Sequence, residues 1–164
     1  MHFTATLTYD KALLRKAAFA FWRRSVGVFF PLVLLSLSGY LAVQAVTSRR
    51  DWLWGAMTAS VLLGYLVCGA VFVVHYRSGL TKLRDMGSPI AEFTAQDDSF
   101  TLTSSIGTAC MKWSSVTGVW RFESFWLLLF SRANFSTLPL QNVTPEMQSF
   151  VLDRIRSFGG KVDG

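Results

Sequence analysis

Two histidines, His2 and His75, and two cysteines, Cys68 and Cys110, are the only imidazoles and thiols among the 164 residues, so catalytic or metal chemistry would have to be built on them. Their spacing builds neither. The cysteines stand far apart, Cys68 in a long apolar run and Cys110 in a strand-like segment, which implies no disulfide framework and no zinc module. There is no His-Glu-x-x-His pair, no Gly-rich phosphate loop and no Gly-x-Ser-x-Gly elbow. A Ser-His-acid triad would depend on one of two poorly placed imidazoles. The expectation is a protein without enzymatic activity, cofactor or metal.

What remains are residues whose chemistry is contact. His75 closes an apolar run beside Tyr76 and Arg77, where an imidazole reaches water, and it is the candidate pH-sensitive group because an unperturbed imidazole titrates between about pH 5 and 8. Ala56, Ser60, Gly64 and Cys68 form a row of small residues spaced by four, matched upstream by Ser38 and Ala42. Small residues at this spacing let helix backbones approach closely in lipid. They are expected to pack inside a helical hairpin, with a homo-oligomer or partner interface as the alternative. Trp22, Arg23, Arg24 and Arg77 are candidate membrane-interface residues, the indole at headgroup level and the guanidinium groups near phosphates.

Two uncharged stretches must carry these residues, 25–46 and 52–76, neither containing Asp, Glu, Lys or Arg. Each exceeds the roughly 20 residues needed to cross a hydrocarbon core about 30 Å thick. The rest of the chain is too short to enclose both in protein, so the reading is a transmembrane hairpin over 25–76 turned through Thr47, Ser48, Arg49, Arg50 and Asp51. Lys11, Arg15, Lys16, Arg23, Arg24, Arg77, Lys82 and Arg84 flank the hairpin on its terminal side, against Arg49 and Arg50 in the turn. That bias places both termini in the cytoplasm of a bacterial cell, with the hairpin in its inner membrane.

Residues 1–24 read as a strand and an interfacial helix. Phe3, Ala5, Leu7 and Tyr9 alternate with Thr-rich positions, the period of a half-buried strand. Asp10 caps a helix over 11–24 with Leu14, Ala18, Phe21 and Trp22 on its apolar side. Pro31 crowds the carbonyl of Gly27, which predicts a kink there. After the hairpin, 77–90 reads as a linker, its polar part over 81–89 with Gly87 and Pro89 being either that linker or the fraying end of a helix that overshoots the membrane. Residues 91–164 then read as an antiparallel meander over 91–96, 99–104, 108–113, 116–122, 125–130 and 135–138. A closing helix follows, with Thr144 as cap, Pro145 in its first turn, an apolar face of Met147, Phe150, Val151, Leu152, Ile155 and Phe158, and a stop at Gly159 and Gly160. Trp113, Trp120 and Trp126 are expected in the core of this domain.

Composition agrees with two solvents. Hydrophobic residues make up 51% and charged residues 16%, against roughly a quarter charged in ordinary soluble domains, and mean hydropathy is +0.36. The net charge of +6 would suit nucleic acid, but it is unevenly placed: residues 1–90 hold ten Lys or Arg and three acids, residues 91–164 six and seven. A basic excess beside the apolar runs fits anionic lipid headgroups, so nucleic acid is not an expected partner.

Taken together, the strand leading to Tyr9 and Asp10, the amphipathic helix and the closely spaced apolar runs resemble the YcxB-like bacterial membrane proteins. So do Lys112 and Trp113 leading into 116–120, the 125–130 strand, and Leu138 and Pro139 before Phe150. The resemblance spans nearly the whole chain and departs at Leu140, where a basic residue more typically follows the proline. It implies an α+β membrane protein: a two-helix transmembrane hairpin with a cytoplasmic antiparallel pleckstrin-homology-like (PH-like) domain closed by a C-terminal helix. It also implies that the strand at 2–9 joins the sheet of that domain. The function expected is non-enzymatic, the cytoplasmic domain binding a protein partner or lipid headgroups. The alternative is an immunity protein that protects its cell from a membrane-acting toxin.

Overall fold

The computed structural model describes residues 2–47, 51–131 and 134–164. Ser48, Arg49 and Arg50 of the turn, and the centre of the expected turn at 131–134, lie outside the described residues. The architecture is α+β, with two long apolar helices and two largely antiparallel sheets. In chain order the elements are β1 (Phe3–Thr8), α1 (Lys11–Val26), α2 (Phe29–Thr47), α3 (Trp52–Asp85), β2 (Ile90–Ala95), β3 (Ser99–Ser104) and β4 (Gly107–Lys112). A single 3-10 turn (Trp113–Ser115) leads to β5 (Gly118–Arg121), β6 (Phe125–Leu129), β7 (Phe135–Pro139), α4 (Pro145–Ser157) and β8 (Lys161–Asp163). The chain divides into two compact units, one made of 1–17 with 79–164 and the other of 18–78.

In the β unit, the alternation of β1 buries Ala5 and Leu7 and turns its threonines outward. Leu7 stands opposite Ala91, Ala5 opposite Phe93 and Phe3 opposite Ala95, so β1 pairs antiparallel with β2 although α1, α2 and α3 lie between them in sequence. The expected single meander is two four-stranded sheets instead, ordered β1-β2-β3-β4 and β7-β6-β5-β8. The division falls at the 3-10 turn, where Trp113 is fully buried and its indole N–H donates to the Gln96 carbonyl at 2.8 Å. An indole held inward there takes the backbone out of strand geometry, so the expected strand at 108–113 ends one residue earlier, as β4, and the one at 116–122 shortens to β5.

The second sheet is not wholly antiparallel. β8 pairs parallel with β5, Val119 opposite Val162, a strand absent from the expected list. α4 begins as its residues dictate: Thr144 Oγ1 accepts the Met147 N–H at 3.3 Å, Pro145 occupies the first turn, and Met147, Phe150, Val151, Leu152 and Ile155 are buried. Phe158, expected on that apolar face, caps the helix and is exposed, because the chain leaves helical geometry at that residue. Trp113, Trp126, Phe93 and Phe100 are core, whereas Trp120 is only half-buried.

Tyr9 ties β1 to the second sheet. Its hydroxyl donates to the Thr137 carbonyl at 3.1 Å, and burial pushes the phenol pKa up from its ordinary value of 10.0. The unfolded chain releases that proton near the ordinary value while the native chain retains it, so above about pH 10 the unfolded state binds fewer protons and stability falls as pH rises. Denaturant midpoints measured at about pH 8 and pH 11 should therefore drop more for the native sequence than for Tyr9→Phe. At the lower pH the variant should cost about 1 kcal/mol for the lost hydrogen bond. Equal alkaline losses in the two proteins would contradict the assignment.

In the helical unit, the expected kink is a break. α1 ends at Val26, Gly27 takes φ +73°, and α2 starts at Phe29. Pro31 then lies in the first turn of α2, where a missing N–H leaves no intrahelical bond unmade, and Gly27 absorbs the left-handed backbone that allows the restart. Residues 25 and 26 of the first expected apolar span thus belong to α1. α3 is 34 residues long. It opens with Asp51 Oδ1 accepting the Trp54 N–H at 2.8 Å. It continues through 77–85, as the overshooting-helix alternative has it and the linker reading does not, because nothing before Gly87 and Pro89 breaks a helix.

Candidate functional site

The contact chemistry expected from the sequence converges on the helical unit. α2 and α3 meet along Leu34, Leu41, Val61 and Cys68, all buried, with Leu37, Trp54 and Met57 packed against them. On α3 the seam is Trp54, Met57, Val61, Gly64 and Cys68, which alternates steps of three and four. That is the spacing that keeps a face aligned with a neighbouring helix. A strict step of four drifts by roughly 40° at each repeat, since an α-helix turns 3.6 residues per revolution. The expected row therefore leaves the seam: Gly64 and Cys68 pack, but Ala56 and Ser60 are exposed. Ser60 instead donates to the Ala56 carbonyl of its own helix at 2.9 Å.

At Gly64 the two helices are in tight contact. A Cβ added there would stand 2.7 Å from Leu34 Cδ2, whereas one added at Gly69 meets nothing within 4 Å. Two polar contacts bracket the seam, Ser38 Oγ to Tyr65 Oη at 3.1 Å and the Trp54 indole N–H donating to the Leu41 carbonyl at 3.3 Å. Gly64→Leu is expected to push α2 from α3, while Gly69→Leu is not. A short thiol crosslinker bridging cysteines placed at Ser38 and Tyr65 should lose most of its yield with the first change only. Equal yields would contradict the seam.

Within the helical unit α1 packs on its neighbour. It buries Ala17, Ala18 and Phe21. The Trp22 indole N–H donates to the Cys68 carbonyl at 2.8 Å, and the Phe21 ring lies 4.7 Å from the His75 ring, so within the helical unit α1 runs antiparallel beside α3. Trp22 is thus held against a helix and also stacks on Phe19 at 5.8 Å. Arg23 and Arg24 are exposed in the last turn of α1, where the helix dipole favours cations. Arg77 is exposed on α3.

His75 is half-buried, its Nδ1 donating to the Val71 carbonyl at 2.8 Å. With the Phe21 ring against it, the imidazole works as a packing element joining α1 and α3. His2 is remote from it in sequence, at a shallow surface depression of the β unit with Gln96, Asp97, Asp98 and Ser99. Asp97 there pairs with Arg154 at 2.8 Å. Cys68 is buried and Cys110 exposed, both as thiols. No cluster of three or more His, Cys, Asp or Glu residues gathers among the described residues.

The seam residues Leu34, Trp54 and Val61 were absent from the expected set, although the three-four alternation that marks them is plain in the sequence once small residues are not given priority. No protein-family model, curated protein or solved structure matches this chain. Its own residues therefore carry the functional reading.

Proposed function

We propose that the chain is a non-enzymatic integral membrane protein in which α2 and α3 cross the bilayer as a hairpin and the β unit is a cytoplasmic interaction module. The observation that carries this is the outward face of the two long helices. Leu63 is 62% exposed, Leu66 70% and Phe29 86%, while the β unit closes a core of its own. Contiguous apolar surface on this scale is not maintained in water. Helices of this length and hydropathy satisfy their backbone groups internally, as hydrocarbon requires.

The positive-inside bias supports an inner-membrane orientation with both termini cytoplasmic. The joining of β1 to β2 and the closing α4 support the PH-like, YcxB-like reading of the β unit. Its function in that reading is to bind a protein partner, for which β4, at the end of its sheet and exposed along most of its length, offers a strand edge. Extraction of membranes at alkaline pH tests insertion. The full chain should stay in the pellet, and release with the peripheral proteins would overturn the reading.

A further inference from the structure

We propose that Arg23 and Arg24 lie in the phosphate layer of the bilayer and bind anionic headgroups, so that the hydrocarbon boundary crosses α3 near Gly69 and not at Arg77. This rests on the membrane-spanning reading above. The two candidate boundaries differ in depth because α1 is locked beside α3. Phe21 meets His75, the Trp22 indole meets the Cys68 carbonyl, and further along Leu34 faces Gly64. Rising numbers on one side pair with falling numbers on the other, so Arg23 and Arg24 stand about level with Cys68 and Gly69.

From Gly69 to Arg77 is about 12 Å at 1.5 Å per residue. If Arg77 marked the boundary, both arginines would lie most of the way to the centre of a core about 30 Å thick. Central arginines are among the costliest residues to insert. If the boundary lies at Gly69, α2 with its 19 residues spans about 28 Å and residues 52–69 about 27 Å, which match each other and the core. The opposing cost is that Val73 and Val74, 46% and 58% exposed, leave the hydrocarbon. Two partly exposed valines cost less than two guanidinium groups in lipid. The stacked Phe19 and Trp22 beside the arginines, and the stacked Phe72 and Tyr76 on α3, supply the aromatic groups that favour the headgroup zone.

The test uses the full chain with Cys68→Ala and Cys110→Ser, single cysteines at Leu63, Leu66, Val73 or Val74, and a membrane-impermeant maleimide applied to inside-out vesicles. Val73→Cys and Val74→Cys should label at least tenfold faster than Leu63→Cys and Leu66→Cys. If all four label equally slowly, the boundary lies beyond Val74 and the proposal fails while the spanning reading stands. If all four label fast, the spanning reading fails and takes the proposal with it. In a second measurement, detergent-purified native protein should retain phosphatidylglycerol severalfold better than the doubly substituted Arg23→Gln, Arg24→Gln chain. Equal retention would overturn headgroup binding.

Discussion

Replacing Trp113 with alanine is expected to unfold the β unit at room temperature or bring it close to unfolding. Trp113 is the largest of the fully buried side chains and sits at the turn that separates the two sheets. Its ring centre lies 4.7 Å from that of Phe100, which in turn lies 5.6 Å from Phe93, so one indole links the turn to the interior of the first sheet. Truncation to alanine removes that volume at a cost of about 3–5 kcal/mol. The Gln96 carbonyl also loses its indole donor, which adds about 1–3 kcal/mol if no water reaches it. Against a total stability of roughly 5–15 kcal/mol, the loss is most of what a domain of this size has. Trp113→Phe keeps the packing and loses the hydrogen bond, so it should fall between the two. Near-ultraviolet circular dichroism of the full chain in detergent, followed against urea, separates the three proteins. A midpoint for Trp113→Ala within error of the native value would contradict the account of this core.

Gly160→Ala is the second large effect expected. The residue joins α4 to β8, and its N–H donates to the Ile155 carbonyl at 2.8 Å. A Cβ there would lie 2.6 Å from Ile155 Cγ2, 2.9 Å from the Val116 carbonyl oxygen and 3.0 Å from the Ile155 carbonyl oxygen. A side-chain methyl can turn away, but two backbone carbonyls cannot without moving their elements. The cost should therefore be toward the top of the range of about 1–3 kcal/mol for overpacking. It should be spent first on β8, which is three residues long and joined to its sheet by β5 alone. Hydrogen exchange at Lys161, whose amide donates to the Thr117 carbonyl at 3.1 Å, should accelerate well beyond that of β6 amides. Uniform acceleration across both strands would show instead that β8 opens only with the whole unit.

Elements with a strong period or an explicit cap were legible in the sequence. The two-residue alternation of 3–8 and the Thr144, Pro145 start of α4 each state a local geometry that tertiary packing then uses unchanged. Elements that exist only because of a distant partner were not. β8 is too short to show a period and forms because β5 presents an edge. The split into two sheets depends on where the Trp113 indole finds its acceptor. The helical contact face was misread by position, not by kind. Gly64 and Cys68 belong to it, but following small residues at a fixed step of four led onto Ala56 and Ser60, one residue off the seam at Met57 and Val61. The end of α3 stayed open in the sequence between a linker and an overshooting helix, because polar side chains at 77–85 suggest a loop although polarity alone does not stop a helix that has a neighbour to pack on. In that stretch, Leu14 of α1 lies in van der Waals range of a Cβ built at Gly79.

Cys110 provides the most direct measurement of the central claim, because it is exposed on β4 and needs no substitution to be read. An impermeant maleimide applied to sealed vesicles should label it when the cytoplasmic face is outward and leave it unlabelled in right-side-out vesicles until detergent is added. The labelled protein should remain in the pellet after alkaline washing. Labelling from the periplasmic face, or recovery of the labelled chain in the wash, would contradict a membrane hairpin that carries its β unit in the cytoplasm.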